Sequence, residues 1–384
     1  MRVEVSPELV SWARERAGAA REERLLKRFP GLPQWEAGTA QPTLKQLESF
    51  AKAACVPIGF MFLQQPPEQP LPIPDLRTVA DRGVDRPSPD LLDTIYLCQQ
   101  RQAWYRDYAR RQGEPRREFV GAASLDDPAE QVANAIRQAL GMDLEERRQL
   151  ATWTDALRRF VRQADELGVL VMINGVVGSN NQRKLDPEEF RGFALADEWA
   201  PLVFINGTDS KAAQMFTLAH ELAHLWLGES AVSDVPAFEA SAHAIERWCN
   251  RVAAELLVPR ALLEADYRAG ADLNEELPRL ARRFKVSTLV ILRRLHDLGA
   301  LDRETLWRVY REQLELMHPR RESSGGDYYL TQAVRISRRF ARALIVDTFE
   351  GQTGFAEATR LVGTRKVETL RRFGRELGVG GVVA

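Results

Sequence analysis

The feature that most constrains the fold is a pair of histidines in residues 217–228, which read Thr-Leu-Ala-His-Glu-Leu-Ala-His-Leu-Trp-Leu-Gly. On an α-helix, His220 and His224 lie about 40° apart on one face, one turn above the other. Two imidazoles so placed can clamp a metal ion, and Glu221 lies about 100° round from His220, close enough to exchange a proton in the same cavity. Residues 220–224, the histidine motif below, therefore predict a metal site on a helix.

The surrounding residues predict that helix independently of the motif. Asp209 and Ser210 offer side-chain oxygens that can cap its first turn, and Gly228 suits its end. The apolar positions follow helical spacing; they are Met215, Leu218, Leu222, Leu225 and Trp226.

A tetrahedral catalytic zinc needs a third protein ligand. The downstream candidates are Glu229, Asp234, Glu239, His243 and Glu246. Residues 244–259 show the apolar spacing of a second core helix, with Glu246 at the border of its stripe. Asn250 comes one turn later, where it can hydrogen-bond a ligating histidine. Position alone ranks Glu246 first and His243 second, as the alternative ligand.

The runs Lys211-Ala-Ala-Gln-Met-Phe-Thr-Leu-Ala-His-Glu-Leu-Ala-His-Leu-Trp-Leu-Gly and Ile245-Glu-Arg-Trp-Cys-Asn-Arg-Val-Ala-Ala-Glu-Leu-Leu-Val-Pro resemble the ImmA/IrrE family of bacterial zinc metallopeptidases. The resemblance extends to the subgroup with an N-terminal Xre-type helix-turn-helix domain. It implies one catalytic Zn²⁺ held by His220, His224 and Glu246, with Glu221 as the catalytic base. It also implies a predominantly helical α+β fold: a zincin-like, gluzincin-type core with a small sheet, flanked by helix-turn-helix-like domains at both ends.

This resemblance implies a metallo-endopeptidase that cuts a regulatory protein, a helix-turn-helix repressor, in a stress or mobile-element response. The alternative from a different class is a zinc-containing regulator with little or no proteolysis. Such a protein would bind DNA or a cognate toxin as the antitoxin of a toxin–antitoxin pair.

Length and charge set limits on these readings. The 384 residues, 45% of them hydrophobic, predict two or three domains with real cores. The net charge of −1 gives no global attraction to nucleic acid, so DNA contacts would have to come from local patches. Three widely spaced cysteines argue for reduced thiols. Without an apolar leader or membrane span, we expect a cytoplasmic protein that does not enter membranes.

The first half of the chain is expected to be helical. Residues 1–65 resemble an Xre-like domain, but residues 29–35, Phe-Pro-Gly-Leu-Pro-Gln-Trp, leave little room for a recognition helix. A degenerate domain that packs or binds protein is thus the alternative to a DNA-binding one. Residues 66–86 are a proline-rich linker, and residues 87–167 form helices that brace the peptidase.

Strands are expected only in the peptidase core, residues 168–270. Residues 168–174, 190–195 and 201–206 are short apolar runs bounded by turn residues, which predict a three-stranded sheet. An edge strand in such a core can pair with an extended substrate. The candidate is the second run, through Arg191, Gly192, Phe193 and Ala194, and the alternative is an ordinary interior strand.

The remaining chain is again helical. Residues 271–320 have helix-turn-helix rhythm, and residues 277–296 carry six basic residues and no acid. Candidate DNA contacts in this segment are Arg282, Arg283, Lys285, Arg293 and Arg294. Packing or partner docking is the other interpretation. A joint is expected at residues 320–328, followed by a C-terminal helical domain at residues 329–384.

Overall fold

A computed structural model describes residues 1–76, 87–233, 243–316 and 328–379. The chain divides into two compact units, which we describe separately. One comprises Met1–Pro72 with Arg82–Ile95, and the other Ile73–Asp81 with Tyr96–Ala384. Residues 77–86 of the predicted linker, and all of the predicted 320–328 joint except Tyr328, lie outside the described residues. Within the described residues, no helix is both long and apolar enough to cross a membrane.

The N-terminal unit is a small helical bundle. Its elements are α1 (Pro7–Arg16), α2 (Ala19–Arg28), α3 (Leu32–Glu36), α4 (Leu44–Ala53) and a 3₁₀ helix (Ile58–Phe62). Thr43 and Gln46 form a reciprocal capping box at the start of α4. The core is made of apolar residues from the helices, with Leu9, Leu47 and Phe50 fully buried. This unit therefore folds around its own core.

The third helix of this unit is short, as the two prolines predict. It has five residues and begins at Leu32, with Pro33 in its first turn, where proline is tolerated. A helix of that length makes little more than one turn. Recognition of DNA by this domain stays a prediction.

Helices precede the sheet. They are α5 (Pro89–Arg111), which belongs to the second unit from Tyr96 onward, and α6 (Ala129–Ala139), α7 (Leu144–Gln149) and α8 (Trp153–Leu167) of the second unit. The helix expected over residues 145–167 is broken because Thr152 caps a new one, accepting a hydrogen bond from the N–H of Asp155. This new helix, α8, ends at Leu167, and the φ of 105° at the following Gly168 favours glycine.

The sheet has four strands rather than three. The strands are β1 (Leu170–Asn174), β4 (Gly192–Leu195), β5 (Leu202–Asn206) and β6 (Ala231–Ser233), in the order β1-β5-β4-β6. The first pair is parallel and the other two are antiparallel. The predicted runs are confirmed as strands, while β6 was missed. A separate hairpin consists of β2 (Val176–Val177) and β3 (Asn180–Lys184).

Helices make up the rest of the second unit. They are α9 (Lys211–Leu227), α10 (Ala244–Leu257), α11 (Arg260–Asp266), α12 (Leu273–Phe284), α13 (Thr288–Asp297), α14 (Arg303–Leu316), α15 (Tyr328–Arg335), α16 (Arg338–Phe349), α17 (Phe355–Val362) and α18 (Val367–Glu376). The α+β prediction, helix-rich with a small sheet, is confirmed.

One hydrophobic core joins one face of the sheet to helices of the second unit from α6 to α14. Its buried residues extend from Val132 to Val309 and include Leu277, Phe284 and Ile291. These last three lie on α12 and α13, the pair with helix-turn-helix rhythm. The pair is therefore packed into the same core as the histidine motif, and the amphipathic spacing that predicted it serves this packing.

Candidate metal centre

Helix α9 carries the histidine motif and has well-defined ends. The Oγ of Ser210 accepts a hydrogen bond from the backbone N–H of Ala213 at 3.2 Å, which caps the first turn. The helix stops at Gly228, whose φ of 75° lies in the left-handed region. The predicted cap and stop are confirmed, so the helix is fixed at both ends.

The motif lies in the protein interior. Every residue from Gln214 to Trp226 is buried, with His220 3% exposed and both Glu221 and His224 at 0%. Buried polar groups are costly unless they find partners or bind a metal. The partners of these three buried side chains therefore indicate whether they bind a metal ion.

Helix α10 brings a carboxylate to the motif. Its apolar stripe, which includes Trp248, Cys249 and Val252, packs into the core. Glu246 lies in the first turn beside this stripe and is 0% exposed. Glu246, at the border of the apolar stripe, therefore faces the interior. The sequence alone did not decide between an interior and a solvent-facing position.

Three arginines, Arg137, Arg147 and Arg294, cap the other end of α10. The last carbonyl groups of a helix have no partner within the helix and carry partial negative charge, so cations bind well there. The guanidinium groups donate to the carbonyl oxygens of Glu255 and Leu256 (Arg137), Leu257 (Arg147) and Val258 (Arg294). The helix that positions Glu246 is thus held at its far end by charge-assisted hydrogen bonds.

The side chains of His220, His224 and Glu246 converge on one point. His220 Nε2 lies 3.1 Å from Glu246 Oε2, His224 Nε2 lies 3.1 Å from Glu246 Oε1, and the two Nε2 atoms are 3.1 Å apart. Ligands about 2.1 Å from a tetrahedral zinc ion lie about 3.4 Å from one another. Within the described residues, this is the group identified as able to hold a metal ion.

Asn250 orients one of the histidines. Its Oδ1 lies 3.0 Å from Nδ1 of His220 and accepts the hydrogen of that nitrogen. The proton on Nδ1 leaves the lone pair of Nε2 directed at the other two ligand atoms. This is the arrangement found around ligating histidines, whose second nitrogen is usually hydrogen-bonded.

Replacing Asn250 with alanine is expected to weaken the binding of a metal ion by about 10- to 100-fold, because His220 loses the partner that fixes its ring and tautomer. Asn250→Asp, which keeps an oxygen acceptor, should bind far more tightly than the alanine variant. A competition titration against a chromophoric chelator measures both. Equal affinities for the alanine variant and the parent would show that Asn250 has no such role.

Glu221 is buried close to His220, Glu246 and the hydroxyl of Ser233. In the part of the chain that the structure describes, neither carboxyl oxygen has a hydrogen-bond partner. Burial raises the pKa of the Glu221 carboxyl to about 8, and the negative charge of Glu246 adds to the effect. The carboxyl thus has a high affinity for a proton.

Glu246 has the opposite character. Burial alone would raise the pKa of its carboxyl, but the imidazoles of His220 and His224 beside it hold that pKa well below its usual value. The two glutamates are therefore differentiated, with one an anion suited to a cation and the other suited to proton transfer.

Ser233, at the end of β6, is part of the site and was not predicted. Its Oγ lies 3.4 Å from His224 Nε2 and 3.5 Å from Glu246 Oε1, and the residue is 3% exposed. A lone serine after a three-residue strand has no sequence signature. Its place follows only from the pairing of β6 with β4.

Gly192 lets a strand pass close to Glu221. A Cβ atom there would lie 2.6 Å from Thr217 Cγ2, 2.8 Å from the carbonyl oxygen of Phe204 and 3.1 Å from Glu221 Oε1. The first two distances are shorter than any normal contact. A side chain at this position would push α9 and the sheet apart at the motif.

The strand through Arg191 to Ala194 is not an edge strand. β4 is hydrogen-bonded on both sides, with Phe193 opposite Phe204 of β5 on one side and Val232 of β6 on the other. Its backbone has no free row of donors and acceptors for a substrate. The prediction that these residues pair with substrate is therefore wrong, and the alternative of an interior strand is correct.

His243, the alternative ligand, is not brought into the cluster. It is an exposed residue that precedes the first turn of α10. The metal-binding group consists of His220, His224 and Glu246 without it. The other candidates Asp234 and Glu239 lie outside the described residues.

Two of the predicted DNA contacts are buried. Arg294 is 8% exposed, forms an ion pair with Glu255 and donates to the carbonyl of Val258. Lys285 is 7% exposed, with its Nζ 5.7 Å from the ring centroid of Trp153. Neither charge can reach a phosphate, because both are occupied in packing α12 and α13 against the core. The prediction is wrong for these two residues.

The other three basic residues are a weaker patch than the sequence indicated. Arg283 forms an ion pair with Asp266, and Arg293 forms one with Asp297 at 3.0 Å. Both acids lie outside residues 277–296, so the positive charge counted in that stretch is partly neutralised by residues that the count did not include. Arg282 is exposed. Phosphate contact by this face stays a prediction for these three residues alone.

Two stretches of the chain match models of known protein families. Residues 164–296 match the Peptidase M78 family, described as the IrrE N-terminal-like domain. Residues 336–376 match a family described as a domain of unknown function. No curated protein matches the chain. The first match contains the complete metal centre together with α12 and all but the last residue of α13, and it supports a metal-dependent peptidase of the ImmA/IrrE type.

Proposed function

We propose that this chain is a zinc-dependent endopeptidase that cleaves a regulatory protein. The observation that carries the proposal is the carboxyl of Glu221. It is completely buried, and among the described residues neither oxygen makes a well-formed hydrogen bond, although the charges of His220 and Glu246 and the hydroxyl of Ser233 act on it. A buried carboxyl without such bonds reduces stability, so its presence here is best explained by chemistry.

The donor set fits a catalytic zinc site. Two imidazole nitrogens and one carboxylate oxygen, on His220, His224 and Glu246, are typical of catalytic sites with an open fourth position, whereas structural sites use four protein ligands. When bound, the ion supplies Lewis-acid activation of water and of the scissile carbonyl group.

The residues of the chain would then share the remaining work. Asn250 holds the His220 ring so that Nε2 faces the site. Glu221 takes the proton of the attacking water on a carboxylate oxygen and passes it to the nitrogen of the leaving amine. The burial of these groups keeps bulk water away and strengthens each electrostatic interaction.

The proposed substrate is a helix-turn-helix repressor, cut in response to stress or to a mobile element. The support is the resemblance of the histidine motif and of α10 to the ImmA/IrrE family, together with the match of residues 164–296. The cysteines Cys55, Cys98 and Cys249 are all free thiols, which suits a reducing compartment such as the bacterial cytoplasm.

The test is cleavage of a helix-turn-helix repressor, taken from a gene next to this one where such a repressor is encoded there. We expect the zinc-loaded protein to cut it at a defined bond, read by mass spectrometry of the fragments. Removal of zinc with phenanthroline should abolish the cleavage, and added Zn²⁺ should restore it, because the water and the carbonyl lose their Lewis acid. An intact repressor beside a fully zinc-loaded protein that instead neutralises a toxin would favour the antitoxin reading.

A further inference from the structure

Strand β6 is the outer strand of the sheet on the side of the metal centre. Within the described part of the chain, the sheet order β1-β5-β4-β6 leaves one side of β6 without a neighbouring strand of the sheet. On that side the backbone N–H and C=O of Val232 point outward, while Ser233 uses its carbonyl to accept from Arg191 N–H beside β4 at 3.1 Å. An outer strand with such groups is where an extended peptide can add to a sheet.

This edge is adjacent to the metal ligands. Ser233 is the next residue after Val232, and its Oγ is within 3.5 Å of both His224 Nε2 and Glu246 Oε1. The neighbouring strand β4 is paired on both sides and cannot accept a further strand. A peptide that crosses the metal centre in extended form would therefore use the outer groups of Val232.

A segment of the chain itself already occupies those groups. The N–H of Val232 donates to the carbonyl of Pro74 at 3.0 Å, and the N–H of Leu76 donates to the carbonyl of Val232 at 3.2 Å. Asp75 and Val232 form a parallel bridge. Residues 73–76 group with the second unit, whereas the chain up to Pro72 groups with the first.

The composition of this segment suits a short and replaceable strand. Pro72 and Pro74 lack an N–H and favour an extended backbone, so the segment loses little conformational freedom when it pairs. Because the carbonyl of Pro74 faces β6, the N–H that proline lacks would have faced β6 as well, so the segment offers β6 one donor fewer than an ordinary strand. Among the described residues, its pairing with β6 is one bridge with one hydrogen bond in each direction.

We propose that the outer edge of β6 is the peptide-binding edge of the metal centre, and that residues 74–76 occupy it until an extended stretch of substrate displaces them. The proposal rests on the proposed function, because it assigns the path of the substrate to that site. It predicts that access to the edge, and not only the chemistry, limits the reaction.

The experiment compares Leu76→Pro, which removes the N–H that bonds to Val232, with Leu76→Ala, which keeps it. Both are made in a zinc-loaded Glu221→Gln chain, so that binding is measured without cleavage. The probe is fluorescein-labelled casein, an unfolded polypeptide, followed by anisotropy. We expect Leu76→Pro to bind it about tenfold more tightly than Leu76→Ala, because the edge is no longer occupied.

Two further measurements make the result decisive. The amide of Val232 should exchange its hydrogen faster in Leu76→Pro, which reports release of the segment. Leu76→Gly keeps the N–H but adds backbone freedom to the segment, and it controls for any disturbance of the fold by proline. Its affinity for casein should lie between those of Leu76→Ala and Leu76→Pro. Equal affinity in all variants, no binding by any of them, or an unchanged exchange rate at Val232 overturns the proposal.

Cleavage is assayed separately in chains that keep Glu221. Tighter binding without cleavage of casein or of the repressor would leave the edge assignment in place and remove the proposed function. Cleavage with equal binding in every Leu76 variant would do the reverse. The two proposals can therefore fail independently.

Discussion

Replacing Glu221 with glutamine is expected to slow peptide hydrolysis by about 10²- to 10⁴-fold, the usual contribution of a general base. Glutamine has nearly the same shape and fills the same buried volume, but its amide does not accept a proton from water. Zinc content should not change, because the three ligand atoms belong to His220, His224 and Glu246. The measurements are kcat/KM on the repressor and zinc per chain by atomic emission.

The matched control is Glu229→Gln, which makes the same chemical change at an exposed residue just beyond the end of α9. It should keep both full activity and full zinc content. A Glu221→Gln protein that cleaves within a few-fold of the parent would remove Glu221 from the reaction. Persistence of the biological effect in a zinc-loaded, inactive variant would point to a regulator rather than a protease.

Replacing Glu246 with alanine is expected to lower zinc affinity by more than about 100-fold, beyond the effect of losing a supporting hydrogen bond. The variant keeps two imidazoles but loses the only anionic ligand, whose low pKa makes it suited to a cation. At saturating zinc, each tenfold loss of affinity removes about 1.4 kcal/mol of zinc-linked stability. Chelation should therefore lower the Tm of the parent by more than it lowers that of the variant.

Glu229→Ala controls for the loss of a carboxylate at a position outside the cluster, and it should respond to chelation as the parent does. Full zinc occupancy in Glu246→Ala would contradict the geometry of the site. If His243→Ala then lost the metal, the alternative ligand would have to be reinstated despite its exposed position in the structure.

The parts of the site that could be predicted are those that depend only on the spacing of residues close together in the sequence. Two histidines four residues apart, with Ser210 before them and Gly228 after them, define a helix and one of its faces without reference to the rest of the chain. Glu246 and Asn250 are likewise one turn apart on a single helix. Their approach to the histidines required only that both apolar stripes face the same core.

The parts that could not be predicted depend on which elements become neighbours. Residues 190–195 show the pattern of a strand whether it lies at the edge or in the interior. The three residues of β6, which decide between the two, are too few to show any pattern. The basic residues of α12 and α13 form a cluster in the sequence, but the acids that pair with Arg283 and Arg294 come from α11 and α10.

The arginine caps of α10 have a consequence for genetic screens. Arg294 lies in a stretch that reads as a DNA-binding helix pair, yet its guanidinium bonds to the end of the helix that presents Glu246. A null phenotype from Arg294→Ala would be attributed naturally to lost operator recognition. The structure provides another route to the same phenotype, a loosened ligand helix and a depleted metal. The phenotypes of substitutions in α12 and α13 therefore have to be interpreted together with the zinc content of each mutant protein.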